Sequence, residues 1–224
     1  MEKLRKGEAF FYQFSMVLLI TVVIAFGMNI LLKNYHLNSS MSLIIVHGIS
    51  MLGWYSLLFW QSRSIRINNF NLHKQLGLMS IALAVAIVIS GIIIAISNYR
   101  GEKEALTLFG NFSGMFIFGI LYTFALLNRK KADVHKRLMI VASVAMLSPA
   151  LVRILRIFDI NDFVTLPFWL IYIVALPVYD YRKLKKIHTA SLSATLFLII
   201  ILFGGSAYAM SESWVNLAAS WFGS

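Results

Sequence analysis

Residues 71–97 read NLHKQLGLMSIALAVAIVISGIIIAIS, and this stretch decides the fold. After Lys74 it contains more than twenty consecutive residues without a charged side chain. An α-helix needs about 20 apolar residues to cross the roughly 30 Å hydrocarbon core of a bilayer. The stretch therefore predicts a transmembrane helix that begins with a histidine, His73, at one membrane surface.

The rest of the chain repeats this apolar pattern. The sequence is 59% hydrophobic and 13% charged, and its mean hydropathy of +0.78 lies outside the range of soluble globular proteins. We therefore expect an all-α polytopic membrane protein whose 224 residues form a single seven-helix transmembrane domain, with an outer interfacial tail at 211–224. Pro149 predicts a kink in the fifth span. The seven predicted spans are 11–32, 41–61, 74–97, 107–127, 136–157, 163–180 and 190–210.

Basic residues are distributed unevenly between the loops that join these spans. If the N-terminus is cytoplasmic, 15 of the 20 Lys and Arg residues lie on the cytoplasmic side. This bias predicts a multi-pass protein of the bacterial inner membrane with its N-terminus inside and its C-terminus outside. It also accounts for the net charge of +11 without a nucleic-acid partner. The five basic residues outside are Lys33, Arg100, Lys103, Arg153 and Arg156.

A short motif recurs where two of the predicted helices begin. Residues 71–76 read NLHKQL and residues 133–138 read DVHKRL, so that His73 and His135 occupy equivalent positions on the same membrane side. Imidazoles at this depth are suited to ligate haem iron, and the neighbouring cations Lys74, Lys136 and Arg137 are suited to pair with haem propionates. The alternative is that the histidines lie at the interface and contact anionic lipid.

A third histidine lies inside the second predicted span. His47 and Met51 are one helical turn apart and share a face. Imidazole with thioether suits Cu(I) or an axial haem position, so this pair is a candidate metal site for copper or haem. The alternative is a histidine bonded to a neighbouring hydroxyl group and a methionine that fills the core. We interpret His36 and His188, which lie in loops, as surface residues.

Helices two to five, with His47, His73 and His135 near the starts of three of them, resemble the four-helix core of the transmembrane diheme cytochrome b reductases. The His-Lys-x-Leu motifs, together with Ser148, Pro149, Ala150 and Arg153, also look similar to uncharacterised bacterial multi-pass membrane families. The resemblance implies that His73 and His135 form a bis-histidine pair for haem b and that His47 ligates an outer haem. Helix four departs from the pattern because residues 108–114, LFGNFSG, contain no histidine.

Two classes of function remain open at this point. The first is an integral membrane protein that binds haem and acts in electron transport or respiratory assembly. The second is a non-catalytic scaffold or accessory subunit that contacts the bilayer and either a membrane protein partner or a second copy of itself. Whether the chain is an enzyme stays undecided: no Gly-rich phosphate loop or HExxH motif is present, and the absence of cysteine excludes thiolate chemistry.

Overall fold

A computed structural model of the protein describes residues 9–32, 41–161 and 164–222. Helices make up almost all of this part of the chain, and it contains no strand, which confirms the all-α prediction. Of the residues discussed above, Lys33 and His36 lie outside the described ranges. The helices are α1 (Ala9–Leu32), α2 (Met41–Arg66), α3 (Phe70–Ser97), a 3-10 turn (Glu102–Glu104), α4 (Ala105–Leu127), α5 (Ala132–Ala145), α6 (Ser148–Ile157), α7 (Thr165–Leu184), α8 (Thr189–Ala209) and α9 (Glu212–Phe222).

Five of the described helices are long and apolar enough to cross a membrane: α1, α2, α3, α4 and α8. The pair α5–α6 is a sixth candidate span if its two helices, which are bent by 41°, count as one. These helices indicate a membrane protein. The remaining predicted span, 163–180, corresponds to α7, which is not among the candidates and whose last turns carry Asp180, Arg182 and Lys183.

The bend between α5 and α6 follows from a proline. Helix α5 ends at Ala145, and α6 begins at Ser148 with Pro149 in its first turn. Proline has no N–H and its ring clashes with the preceding turn, so it is tolerated at the start of a helix and not in the interior. The kink predicted at Pro149 is therefore a break into two helices.

The described residues form two compact units. The first unit contains the residues up to Ile87 together with those in Leu147–Ala175. In it, α1 packs against α2 and α6. The hydroxyl groups of Thr21 and Tyr172 are 2.8 Å apart and join α1 to the first part of α7. The centre of this unit is filled by side chains that are fully buried: Leu18, Val22, Trp54 and Tyr55.

The second unit contains Val88–Met146 and the described residues from Leu176 onwards. In it, α4 packs against α5 and α8, and α5 packs against α8. The residues of α5 from Leu138 to Ala145 are all buried, as expected of a helical segment that is apolar on nearly every side. Helix α4 comes close to α5 at Gly114, where an added Cβ would lie 3.6 Å from the Ala145 carbonyl oxygen.

The described part of the C-terminal tail, which we predict to lie at the outer interface, forms helix α9. Trp214 is buried, its indole N–H donates to the Ala105 carbonyl oxygen at 2.8 Å, and its ring meets Phe109 edge-on at 5.2 Å. Trp221 is 70% exposed. The exposed Trp221 side chain is free to contact lipid, whereas the Trp214 side chain packs inside the second unit. The outer interfacial position of the tail stays a prediction.

Two adjacent glycines of α8 provide a test of packing in the second unit. A Cβ at Gly205 would lie 2.7 Å from the ring of Phe109, whereas one at Gly204 would meet nothing within 4 Å. We expect Gly205→Ala to lower the free energy of unfolding by about 1–3 kcal/mol relative to Gly204→Ala, because the ring must move. Thermal unfolding in detergent measures the difference; equal stability of the two variants would contradict the packing described for α4 and α8.

Candidate functional site at the start of the fifth helix

A buried ion pair joins the start of α5 to the end of α7. Arg137 is 3% exposed and Asp180 is fully buried. The Arg137 Nη2 group donates to Asp180 Oδ1 at 2.6 Å, and Nε lies 3.2 and 3.1 Å from Oδ1 and Oδ2. Arg137 Nη1 donates to the Asp133 carbonyl oxygen at 2.9 Å. This planar, two-nitrogen contact is the strong form of the arginine–carboxylate interaction.

The start of α8 completes the environment of Asp180. The Ser191 hydroxyl donates to Asp180 Oδ2 at 2.5 Å, and the backbone N–H of His188 donates to the same oxygen at 3.3 Å. His188 Nδ1 accepts from the backbone N–H of Ala190 at 3.1 Å, so His188 is the N-cap of α8 and not a simple surface residue. A carboxylate is favoured at a helix N-terminus, where the helix dipole is positive. Asp180 therefore connects α5, α7 and α8.

Asp180 and Ser191 are site residues that the sequence patterns above do not predict. The signal was nevertheless present, because Asp180 is the only acidic residue within the seven predicted spans. A lone carboxylate at membrane depth needs a cation or hydrogen-bond donors nearby. Nothing in the sequence marks Ser191 as a site residue, because serine is common near the start of a helix.

The imidazole of His135 has a defined orientation. Its Nδ1 lies 2.8 Å from the carbonyl oxygen of Ala125, in the last turns of α4. A carbonyl oxygen only accepts hydrogen bonds, so we assign the proton of the neutral imidazole to Nδ1. In this tautomer Nε2 carries the lone pair and is the nitrogen able to ligate a metal.

The three cations predicted as propionate partners have different environments. Lys136 Nζ lies 2.7 Å from Asp133 Oδ1, and the Asp133 side chain is exposed. Lys74 is exposed. The Arg137 guanidinium is already committed to Asp180. The predicted propionate contacts stay predictions, and the structure shows that Arg137 has a second, structural role.

His73 is half-buried at the start of α3, in the first unit, whereas His135 belongs to the second unit. The start of α3 is stabilised by Asn69, whose Oδ1 accepts the backbone N–H of Leu72 at 3.0 Å. Asn69 O also accepts the backbone N–H of His73 at 3.2 Å. His73 therefore lies near the start of a helix, as the sequence pattern predicts, and the Asn69 side chain caps that start.

The second predicted metal site lies in α2, in the first unit. Met51 is buried and His47 is half-buried, one helical turn before it. Within the described ranges no group of three or more His, Cys, Asp or Glu side chains is arranged to hold a metal ion. The roles of His47 and Met51 as copper or haem ligands stay predictions.

No protein-family model, no curated protein and no solved structure matches the chain. The resemblance to the diheme cytochrome b reductases therefore remains a prediction that depends on the positions of three histidines.

The ion pair in the second unit can be tested by removing its partners one at a time and together. We expect Arg137→Met and Asp180→Leu each to lower the free energy of unfolding by about 3–5 kcal/mol, because each leaves a buried charge without its partner. The double variant should lose less than the sum of the two. Unfolding in detergent, followed by circular dichroism, measures all three.

Lys136→Met is the matched control for this cycle. It removes a cation from an ion pair with the exposed Asp133, and such pairs contribute about 0–1 kcal/mol. Single variants of Arg137 and Asp180 that are as stable as Lys136→Met would contradict a buried, coupled pair.

Proposed function

We propose that the chain is an integral membrane protein that binds haem b and acts in electron transfer or in the assembly of a respiratory complex. The observation that carries the proposal is the bond between His135 Nδ1 and the Ala125 carbonyl oxygen, 2.8 Å long. Metal-ligating histidines almost always donate their second nitrogen to a carbonyl or carboxylate, which fixes the ring and raises its basicity as a ligand. His135 is held in this way at the start of a buried helix.

Imidazole nitrogens, which His135 and His73 provide, are the usual ligands of a b-type haem. His135 would supply one nitrogen ligand, and the repeated His-Lys-x-Leu motif predicts that His73 would supply the other. When bound, a haem with two histidine ligands exchanges single electrons and offers no open iron position for oxygen chemistry.

The neighbouring residues would set the surroundings of that group. Lys136, which pairs with the exposed Asp133, would pair with a propionate of the bound group. Lys74, which is exposed, would do the same. Arg137 would act through Asp180, by holding the start of α5 in place. The apolar side chains that follow, Leu138 and Met139, are buried and would exclude water.

A second function is favoured by the same hydrogen bond. The His135–Ala125 contact also closes the turn between α4 and α5, which is a structural role that needs no cofactor. The chain would then be a non-catalytic scaffold or accessory subunit of a membrane complex. Haem content separates the two functions.

The haem proposal predicts a visible spectrum. Protein purified after expression with ample haem should show sharp α and β bands on reduction with dithionite. His135→Ala and His73→Ala should each abolish these bands while the protein remains in the membrane. His188→Asn is the matched control, because asparagine also caps a helix and His188 is not a proposed ligand. A wild-type protein without bands would refute the haem proposal and favour the accessory subunit.

We further propose seven spans, with the N-terminus in the cytoplasm and the C-terminus outside. The basic residues of the loops support this orientation, with α5–α6 as one bent span and α7 as another. Alkaline phosphatase fused after Ser224 should be active, since an odd number of spans exports that end. A fusion in the loop 128–131 is the inactive control. A fluorescent cytoplasmic reporter after Ser224 would contradict this topology. An inactive phosphatase at 128–131 would then indicate that α7 does not cross, whereas an active one there would indicate the inverted orientation.

A further inference from the structure

Three aromatic rings form a continuous strip at one end of the first unit. The ring centroids of Tyr12 and Phe59 are 5.3 Å apart, and those of Phe59 and Trp60 are 5.5 Å apart. Tyr12 lies near the start of α1 and the other two lie near the end of α2, so the strip crosses the contact between these helices. We call these three residues the aromatic strip.

An arginine lies over each end of the aromatic strip. The guanidinium carbon of Arg66 is 4.8 Å from the ring centre of Tyr12, and that of Arg63 is 5.0 Å from the ring of Trp60. Such cation–π contacts hold a guanidinium in place. A ring attracts the charge without neutralising it, so two positive charges remain at this end of the unit.

No carboxylate in the described part of the first unit offsets these charges. Its only acidic residue there is Asp159, which follows α6. Arg153 of α6 lies 5.1 Å from the ring of Phe26, and Phe26 is fourteen residues from Tyr12, or about 21 Å along α1. Asp159 is therefore at the other end of α1. In addition, the buried Nε of Arg66 has no hydrogen-bond partner within the described residues.

The position of the aromatic strip along the helices matches the head-group region of a bilayer. The candidate membrane span of α2 ends at Arg66, and that of α1 begins at Ala9, three residues before Tyr12. Tryptophan and tyrosine are enriched where a membrane meets water. Trp60 is 45% exposed, so a ligand that approaches from the lipid can reach Arg63 above it.

We propose that Arg63 and Arg66, held by the aromatic strip, bind the phosphate group of an anionic phospholipid. A guanidinium offers two parallel N–H donors that match phosphate oxygens, and unpaired arginines at the membrane surface attract anionic head groups. Arg137 has the same side chain, but its donors are used by Asp180 and by the Asp133 carbonyl oxygen. This site is separate from the proposed haem function and does not depend on it.

The test uses the full chain, purified in detergent and examined by native mass spectrometry with added lipid. We expect the wild type to retain phosphatidylglycerol in preference to phosphatidylcholine. The double variant Arg63→Gln/Arg66→Gln should bind phosphatidylglycerol about tenfold more weakly, because two cations at the head-group level are lost. The matched control is Arg129→Gln/Lys130→Gln, which removes two exposed cations from the loop between α4 and α5 and should retain the lipid.

A single variant tests the stacked geometry separately. Trp60→Leu keeps both arginines but removes the ring below Arg63, and we expect a loss of about threefold in binding of phosphatidylglycerol. If the double variant does not fold, lipid binding by Trp60→Leu still tests the proposal. Equal retention of phosphatidylglycerol by the wild type and these variants would overturn the proposal. The proposal would also be overturned if the wild type bound phosphatidylcholine as tightly as phosphatidylglycerol, or if the control variant lost as much binding as the double variant. Displacement of the lipid by excess inorganic phosphate would overturn it as well, because it would indicate a site for free phosphate.

Discussion

The second unit depends on the ion pair between Arg137 and Asp180. Both side chains are withdrawn from solvent, so each would carry a large desolvation cost without the other. Ser191 and the backbone of His188 supply the remaining donors to the carboxylate. Because these residues come from α5, α7 and α8, the interaction is satisfied only when all three helix ends are in position. It thereby determines where α5, and with it His135, is held.

Three arginines in the described part of the chain serve in two different ways, and their surroundings decide which. Arg137 meets a buried carboxylate, and its charge is neutralised inside the second unit. Arg63 and Arg66 meet aromatic rings in the first unit, and their charges persist at the helix ends. A neutralised arginine joins helices, whereas one that keeps its charge at the membrane surface is suited to a ligand. All three residues are arginines, so the composition does not distinguish them. Their contacts do distinguish them.

Local patterns predicted the helices well, because membrane helices are specified by runs of apolar residues that need no knowledge of their neighbours. The break between α5 and α6 was equally predictable, since the missing N–H of Pro149 acts within its own helix. The apolar pattern that predicts a transmembrane helix was weakest for α7, because Asp180 and two nearby cations shorten its apolar run. The repeated His-Lys-x-Leu motif indicated correctly that His73 and His135 lie near helix starts.

The sequence by itself determined the class of fold, most of the helices and the places of His73 and His135 near helix starts, because hydropathy patterns act over a few residues. Only the tertiary structure decided which groups meet. Arg137 and Asp180 are 43 residues apart, and Trp214 donates to a carbonyl oxygen 109 residues before it. Such partners are chosen by packing, because a buried donor or charge must find its complement wherever the fold brings one within reach.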